Sequence, residues 1–253
     1  MRTYGWRPDV PDKRDKYTAM RLDPSALPRQ FDNSTRMPLC WEQGALGACT
    51  AFAVGGAMAY EYARLGVFFQ PSFLQPYYCA RAMEGSIPID AGAYIRDICK
   101  VSAQMGVSES RFWPYVPYRF AQRPPKAAFK NALNQRVLSY ARVPRTVASI
   151  CSVLASADTI VFGVSVYESF ESDVVTETGF VPLPDLDEDL LGGHAVLMVG
   201  YDQDKKLFKA RNSWGEQWGD NGYFYLPYDY VLDPDLSDDF WTLRTVTPQE
   251  TTP

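Results

Sequence analysis

The spacing of apolar residues changes along the chain, from a helical period in the first half to strand-like runs in the second. Apolar and small residues recur every three or four positions from Cys49 to Gly66, which predicts a helix beginning near Cys49. A second helix is predicted over residues 93–105, whose apolar face ends at Gly106. Residues from about 39 to about 135 are therefore expected to form a helical lobe.

Residues from about 136 to 253 are expected to form a β-rich lobe. One helix is predicted around residues 147–157, and the β-branched runs 160–167 and 194–201 then predict strands. Further strands are predicted at 207–212, 223–226 and 240–246. Helices followed by strands indicate an α+β fold in which a cleft separates two lobes.

The first 26 residues differ from both regions. They are rich in charged residues and contain Pro8 and Pro11, which interrupt helices. Tyr4 and Trp6 are the aromatic residues that could anchor such a segment. Two interpretations stay open: an arm packed on the surface, or a short propeptide lying in the cleft.

The composition is that of an ordinary soluble globular protein, with 46% apolar and 22% charged residues in a chain of 253. The net charge of −5, without a basic stripe, argues against nucleic acid as the main partner. No apolar run reaches transmembrane length, and residues 1–10 lack the apolar core of a secretory signal. A cytoplasmic location is slightly favoured, export stays open, and the sequence does not indicate an oligomeric state.

Cysteine and histidine usage speaks against a metal site. The five cysteines include no Cys-x-x-Cys pair, and His194 is the single histidine of the sequence. Because structural zinc sites combine several such ligands at close spacing, we expect neither a bound metal nor another cofactor.

Cys49 is the first candidate for chemistry. It follows a loop with two glycines, Gly44 and Gly47, and stands at the predicted helix N-terminus, where the macrodipole favours a thiolate. A buried structural cysteine would give the same local pattern. The choice between the two depends on His194 and Asn212, which lie far downstream in the β-rich region.

Three motifs in a fixed order carry a resemblance to a known family. They are Gln-Gly-Ala-Leu-Gly-Ala-Cys ending at Cys49, Gly-His-Ala around His194, and Asn-Ser-Trp-Gly from Asn212, with His194 lying 145 positions after Cys49. From about residue 27 to about residue 225, the chain resembles the papain-like cysteine peptidases, in particular a bacterial branch. The resemblance implies a helical lobe and a β-sheet or barrel-like lobe around an active-site cleft. It divides the chain into an extension or short propeptide over 1–26 and a peptidase domain over 27–253.

The resemblance also implies a role for each catalytic residue. Cys49 would attack the scissile carbonyl to form a thioester, while His194 takes up the thiol proton and later protonates the leaving amine. Asn212 would orient the imidazole, and Gln43 would donate to the oxyanion beside the Cys49 amide. A peptide or protein is then the expected partner.

Substrate contacts are expected from a second group of residues. Gly92 would leave room for an extended peptide to pair with the main chain, and Trp214 would shield the contact between Asn212 and His194. The pocket for the second substrate residue is expected to be formed by Ala93, Tyr94, Val161 and Gly193.

The sequence departs from the family pattern at two places. Thr50 replaces the aromatic residue that usually follows the nucleophile, which changes the packing beside the thiol. Leu46 stands where a disulfide cysteine is usual, and the usual partner of Cys79 is missing, so few or no disulfides are expected. The remaining cysteines are Cys40, Cys99 and Cys151, of which Cys40 and Cys151 could still pair.

Two other functions are kept open. A transglutaminase-type acyl transferase or amidase would share the cysteine and the histidine, although that class usually ends its triad with aspartate rather than with Asn212. A catalytically inactive binding protein on a peptidase scaffold is the second alternative, and Thr50 is the residue that favours it. Intact Gln43, Cys49 and His194 favour the cysteine peptidase.

Overall fold

The computed structural model describes residues 3–245, in which helices pack on an antiparallel sheet. The α-helices are α1 (Cys49–Arg64), α2 (Leu74–Met83), α3 (Ile95–Gln104), α4 (Lys126–Ala132), α5 (Val147–Ala155), α6 (Asp173–Thr178) and α7 (Tyr228–Leu232). The strands are β1 (Gln30–Asp32), β2 (Val137–Arg142), β3 (Ile160–Tyr167), β4 (Leu190–Asp202), β5 (Leu207–Arg211), β6 (Tyr223–Pro227) and β7 (Ser237–Thr245). The predicted α+β character is confirmed.

The sheet has the strand order β2-β7-β3-β4-β5-β6, and β1 pairs with the end of β4. Every pairing between these strands is antiparallel. His194 lies opposite Val164 in the β3–β4 register, and Leu197 lies opposite Arg211 in the β4–β5 hairpin. Because β5 ends at Arg211, the hairpin places the next residue, Asn212, close to the strand that carries His194.

Two apolar clusters occupy the two faces of the sheet. On β4, Ala195 and Leu197 belong to the cluster under α1, whereas Val196 and Met198 belong to the cluster on the opposite face. Successive strand residues point to opposite faces, so a strand buried on both sides needs apolar residues at every position. This explains the unbroken apolar runs of β3 and β4, which locate the strands in the sequence without revealing which residue faces which lobe.

The predicted elements agree with the structure best where the pattern is local. β3 has the predicted bounds, and α1 begins at Cys49 and is followed by Gly66 in a left-handed conformation, with φ of +72°. α3 begins two residues later than predicted, because Ala93 and Tyr94 are extended. The last predicted strand, 240–246, begins three residues earlier in the structure, and its residue 246 lies outside the described residues.

The predicted N-terminal segment touches both halves of the fold. Trp6 forms a parallel bridge with Ala93, next to α3, and Tyr17 forms one with Arg142 at the end of β2. The Trp6 amide also donates to the carbonyl of Gly193 on β4 at 2.9 Å. Residues 3–9 therefore lie between the helices and the sheet, where the cleft was expected.

The structure also shows the state of the cysteines, the lengths of the apolar helices and the grouping of possible metal ligands. All five cysteines are free, including Cys40 and Cys151. Within residues 3–245, no helix is long and apolar enough to cross a membrane. In the same range, no group of three or more His, Cys, Asp or Glu side chains is placed to hold a metal ion.

Candidate active site

Cys49 is the first residue of α1 and is completely buried. Ala48 precedes it without a side-chain cap, and the amides of Cys49 and Thr50 at the start of the helix are directed towards the thiol. Burial raises the pKa of the Cys49 thiol to about 11, although hydrogen bonds from the amides of Ala195 and Gly5 act in the opposite direction. The prediction that the helix terminus favours the thiolate is therefore wrong for this covered arrangement. Desolvation of the thiol outweighs the effect of the helix terminus on its pKa.

His194 and Asn212 come together as the β4–β5 hairpin requires. Nε2 of His194 lies 2.8 Å from Oδ1 of Asn212, and both residues are buried. Oδ1 of Asn212 also accepts from the amide of Ser213 at 2.8 Å, which fixes the orientation of the side-chain amide. Since an oxygen faces Nε2, the neutral imidazole carries its proton there, and Nδ1 becomes the basic atom.

Trp214 covers this contact. Its indole stacks on the His194 ring, with 4.9 Å between the ring centroids and 24° between the planes. Trp218 and Phe170 pack edge-on against the other parts of Trp214. Because Trp214 is itself buried, the His194–Asn212 hydrogen bond lies in a dry, apolar surrounding in which it is stronger than in water.

Gln43 is held in the loop before Cys49 from both ends of its side chain. Nε2 donates to the carbonyl of Leu46 at 2.8 Å, and Oε1 accepts a hydrogen bond from the hydroxyl of Ser213. The Gln43 amide also donates to the Ser213 carbonyl at 2.9 Å, and Tyr115 donates to the carbonyl of Gln43 at 2.7 Å. The side-chain amide is thus oriented, and one N–H of Nε2 remains after the Leu46 contact.

The N-terminal segment passes directly over Cys49. The Gly5 amide donates to the thiol, and the Gly5 carbonyl accepts from the amide of Ala93 at 2.9 Å. The next residue, Trp6, donates to the carbonyl of Gly193, so the segment bridges the two sides of the cleft through its main chain. Tyr4 lies edge-on to His194 with 6.2 Å between the ring centroids.

The glycines of the cleft explain how close this approach is. Gly92 has φ of +69°, and a Cβ at this position would lie 2.0 Å from the carbonyl oxygen of Gly5. A Cβ at Gly5 would lie 1.9 Å from the carbonyl oxygen of Gly47. At both places the main chain of one segment contacts the main chain of another. A residue with a side chain could be accommodated there only if the backbone moved.

The other expected pocket residues are placed as follows. Tyr94 lies under the guanidinium of Arg7, with 4.3 Å from Cζ to the ring centroid. Val161 is completely buried in the cluster under α1, and Gly163, two residues further on the same face of β3, lies against the side chain of Trp6. The sequence pattern does not indicate Gly163 as part of the pocket.

A buried ionic cluster adjoins the segment, and the sequence pattern did not reveal it. Arg142 is 3.1 Å from Asp9, 2.7 Å from Asp15 and 3.0 Å from Asp239. Arg96 pairs with Asp15 at 2.6 Å. These residues are far apart in the sequence, and each one alone looks like a surface charge, so no local signal could have identified them.

Comparisons with known proteins identify the family of this chain. Residues 27–231 match the family model described as papain family cysteine protease. An uncharacterized peptidase C1-like protein of Acanthamoeba polyphaga mimivirus is 38% identical over 276 aligned positions, which cover 97% of this chain and 88% of that protein. Pro-cathepsin H of Mus musculus is 29% identical, over 73% of this chain and 54% of its own length.

Solved structures give the same result. Xylellain, a cysteine protease from Xylella fastidiosa, superposes with a TM-score of 0.90 at 36% identity and 96% coverage of both chains. Procathepsin L 3 of Tenebrio molitor has a TM-score of 0.69 at 19% identity, covering 91% of this chain and 76% of its own, which supports the fold alone.

Proposed function

The chain belongs to the papain family of cysteine proteases, and from that premise we propose that Cys49, His194, Asn212 and Gln43 form its catalytic machinery. It is a cysteine peptidase, and its substrates are peptides or proteins. The relatives it matches are cysteine proteases, which favours peptide hydrolysis over a transglutaminase-type reaction or an inactive scaffold. The net charge of −5 argues further against a nucleic acid as partner.

The arrangement of His194 between two fixed neighbours is the observation that carries this proposal. Asn212 holds Nε2 at 2.8 Å, and the amide of Ala195, the next residue of β4, donates to the Cys49 thiol. The imidazole is thus oriented by one neighbour while its strand lies against the nucleophile. An oriented imidazole on a strand that contacts the nucleophile supports the assignment of Cys49 as nucleophile, His194 as base and Asn212 as orienting group.

The first half of the reaction follows from these roles. Cys49 transfers its proton to Nδ1 of His194, and the thiolate sulfur attacks the scissile carbonyl carbon. The carbonyl oxygen becomes an oxyanion that accepts from the Cys49 amide and from the remaining N–H of Gln43. The imidazolium then gives its proton to the leaving amine as the C–N bond breaks, which leaves a thioester.

The second half repeats the same steps with water. His194 takes a proton from a water molecule that attacks the thioester carbonyl, and the same donors stabilise the second oxyanion. The C–S bond breaks, the sulfur regains the proton from His194, and the carboxylic acid product leaves. Asn212 holds the ring in place throughout because its bond to Nε2 persists in both protonation states.

Residues 1–26 are part of the proposal as a cover over the cleft. Gly5 and Trp6 use the main-chain groups of Ala93 and Gly193 that an extended substrate would need, and Cys49 has no exposed surface. A tethered segment has a high effective concentration at its site, so even weak contacts inhibit. The alternative is that this segment chiefly stabilises the fold.

An activity-based label tests the assignment of the nucleophile. An epoxide-type thiol inhibitor should label Cys49 irreversibly and stop peptide turnover in the full chain. Cys49→Ala and His194→Ala should each abolish turnover, because nucleophile and base act as one unit. Cys151→Ala, a buried free cysteine in the cluster on the other face of the sheet, is the matched control and should stay active. Turnover by Cys49→Ala within tenfold of the wild type would overturn the assignment.

A further inference from the structure

The side chain of Trp6 fills a pocket beside the thiol that is shaped by glycines. A Cβ at Gly163 would lie 1.9 Å from Cε2 of the indole, and a Cβ at Gly193 would lie 2.8 Å from Cε3. Trp6 is only 7% exposed in this position. The pocket thus admits a two-ring aromatic side chain only because residues 163 and 193 have no side chains of their own.

The pocket ends at a buried carboxylate. Nε1 of Trp6 donates to Oδ2 of Asp239 at 3.1 Å, and Asp239 is 1% exposed. Oδ1 of the same carboxylate pairs with Arg142 at 3.0 Å, which holds Asp239 in a fixed orientation with Oδ2 directed at the pocket. A hydrogen-bond donor that reaches the end of the pocket therefore meets an oriented acceptor that water cannot easily reach.

The main chain around Trp6 links this pocket to the reaction. Ala93 and Gly193 contact the Gly5 carbonyl and the Trp6 amide, while the Gly5 amide touches the thiol of Cys49. An extended substrate that used the same two main-chain groups would direct one side chain into the pocket that Trp6 occupies. Resting on the function proposed above, this makes the pocket a site of substrate selection.

We propose that Asp239 is a specificity-determining residue, and that the peptidase prefers substrates whose side chain in this pocket is tryptophan. In the covered structure Oδ2 of Asp239 accepts from the Trp6 indole and also from the Asp9 amide at 2.6 Å, and both donors leave with the segment. An incoming tryptophan restores the indole donor, whereas phenylalanine fills the same walls and supplies no donor to this oxygen. Discrimination is strong where a site loses a hydrogen bond to a buried polar group, since the unpaired group stays desolvated.

Basic side chains are disfavoured by the charges that surround the carboxylate. Arg142 already pairs with Asp239, and Arg96 lies nearby through their shared partner Asp15. When residues 1–26 leave the cleft, Asp9 and Asp15 leave with them. Arg142 then keeps Asp239 as its one remaining carboxylate partner and Arg96 loses Asp15, so an incoming lysine or arginine meets net positive charge.

The test uses the full chain and a series of fluorogenic peptides that differ only at the residue entering the pocket, with Trp, Phe, Leu or Arg. The measured quantity is the ratio of kcat/KM between the Trp and Phe peptides. This ratio does not depend on the fraction of molecules in which the cleft is open. We expect a ratio of about ten or more, in line with the loss of one hydrogen bond to a charged group.

Two variants connect this ratio to the pocket. In Asp239→Asn the amide oxygen remains on Arg142, so an NH₂ group faces the indole N–H and the ratio should fall to about one. Gly163→Ala places a methyl group in the indole position and should depress the Trp and Phe peptides while sparing Leu, which tests the pocket if Asp239→Asn does not fold. Asp238→Asn changes an exposed neighbouring carboxylate and should keep the wild-type ratio.

The outcomes distinguish failure of the role proposed for Asp239 from failure of the catalytic assignment. Cleavage of all peptides with equal kcat/KM, or an unchanged ratio in Asp239→Asn, would overturn the role of Asp239 and leave the peptidase mechanism intact. Cleavage of none of the peptides by the wild type or by Gly5→Ala, whose added methyl group displaces the segment from the thiol, together with no epoxide labelling of Cys49 in either chain, would remove the catalytic assignment and the specificity proposal with it.

Discussion

Asp9 and Arg142 form an ion pair that joins the N-terminal segment to the sheet, with 3.1 Å between Oδ2 of Asp9 and Nη2 of Arg142. The same Oδ2 accepts from the Trp241 indole at 2.9 Å. Burial raises the pKa of Asp9 to about 7, and the negative charge of Asp239 acts in the same direction. The Trp241 hydrogen bond and the charges of Arg96 and Arg142 oppose this rise without cancelling it.

The first prediction is that the segment docks more weakly as the pH rises. A free aspartate has a pKa of about 3.9, so the docked state binds the proton more tightly than the free segment does. The stabilisation from this proton is fully present below about pH 4 and is lost as the pH rises through 7. If docking inhibits, activity should increase towards neutral pH through this group.

Asp9→Asn supplies the comparison, because an asparagine stays neutral at every pH. We expect kcat/KM of the wild type, divided by that of Asp9→Asn, to rise by at least roughly tenfold between pH 4.5 and 7.5. The division cancels the pH dependence of the catalytic residues, which both chains share. A ratio that stays flat with pH would show that Asp9 does not control docking.

The second prediction concerns Gln43, whose side chain is oriented by Leu46 and Ser213. Gln43→Ala should lower kcat by roughly 10²–10³, the usual cost of removing one oxyanion donor. KM should change little, because the donor acts mainly on the transition state. Gln122→Ala, at an exposed position, serves as control. An unchanged kcat with a raised KM would make Gln43 a binding residue instead.

The third prediction is that Cys49 reacts slowly in the resting chain. With its pKa raised to about 11 by burial, only about one molecule in 10³ carries the thiolate at pH 8. Alkylation by iodoacetamide, followed for the Cys49 peptide by mass spectrometry, should accelerate about tenfold per pH unit between pH 7 and 10. Gly5→Ala should bring rapid labelling to pH 7, since it displaces the segment from the thiol.

The labelling experiment has an internal standard. Cys151 is also buried, and its pKa is raised to about 11 by burial, but it belongs to the apolar cluster on the opposite face of the sheet from Cys49 and Gly5 does not contact it. Its alkylation rate should therefore be the same in the wild type and in Gly5→Ala. Rapid labelling of Cys49 in the wild type at pH 7 would contradict the covered arrangement.

The sequence revealed those features that depend on local pattern or on a contiguous motif. β3 and the start of α1 follow from apolar runs and from the glycine-rich loop before Cys49. β2 was missed because it pairs with β7, about a hundred positions later, and exposes Leu138 among mixed residues, so its strand character depends on a distant partner. Helix α4 was missed as a separate element because it is short and begins after Pro125.

In the active site, too, residues in local motifs could be predicted, whereas contacts between distant residues could not. The triad residues could be named from the sequence because each lies in a short motif. Trp6 and Asp239 are 233 positions apart, and their hydrogen bond depends on how the segment enters the cleft, which no spacing encodes. In the sequence, Gly163 looks like one more residue of an apolar strand. The Trp6 indole beside it in the structure shows why a side chain is excluded at this position.

The last prediction decides what residues 1–26 do. Gly5 lies in close main-chain contact with the loop before Cys49, because a Cβ at position 5 would lie 1.9 Å from the carbonyl oxygen of Gly47. Gly5→Ala adds a single methyl group, and this overlap should lift the segment without touching the catalytic residues or the sheet. Val10→Ala, at an exposed position of the same segment, is the matched control.

If the segment inhibits, Gly5→Ala should raise kcat/KM for small peptides by roughly tenfold, the result of an overlap that costs about 1–3 kcal/mol. A chain beginning at Ser25 should then be at least as active. If the segment instead only supports the fold, both changes should lower Tm and leave kcat/KM unchanged, because the ionic cluster of Arg142 loses its partners Asp9 and Asp15. The two measurements are independent, so equal kcat/KM in the wild type and Gly5→Ala, together with a lower Tm, would refute inhibition. The position of Gly5 against the thiol favours inhibition, since a purely structural arm has no reason to use the main-chain groups beside Cys49.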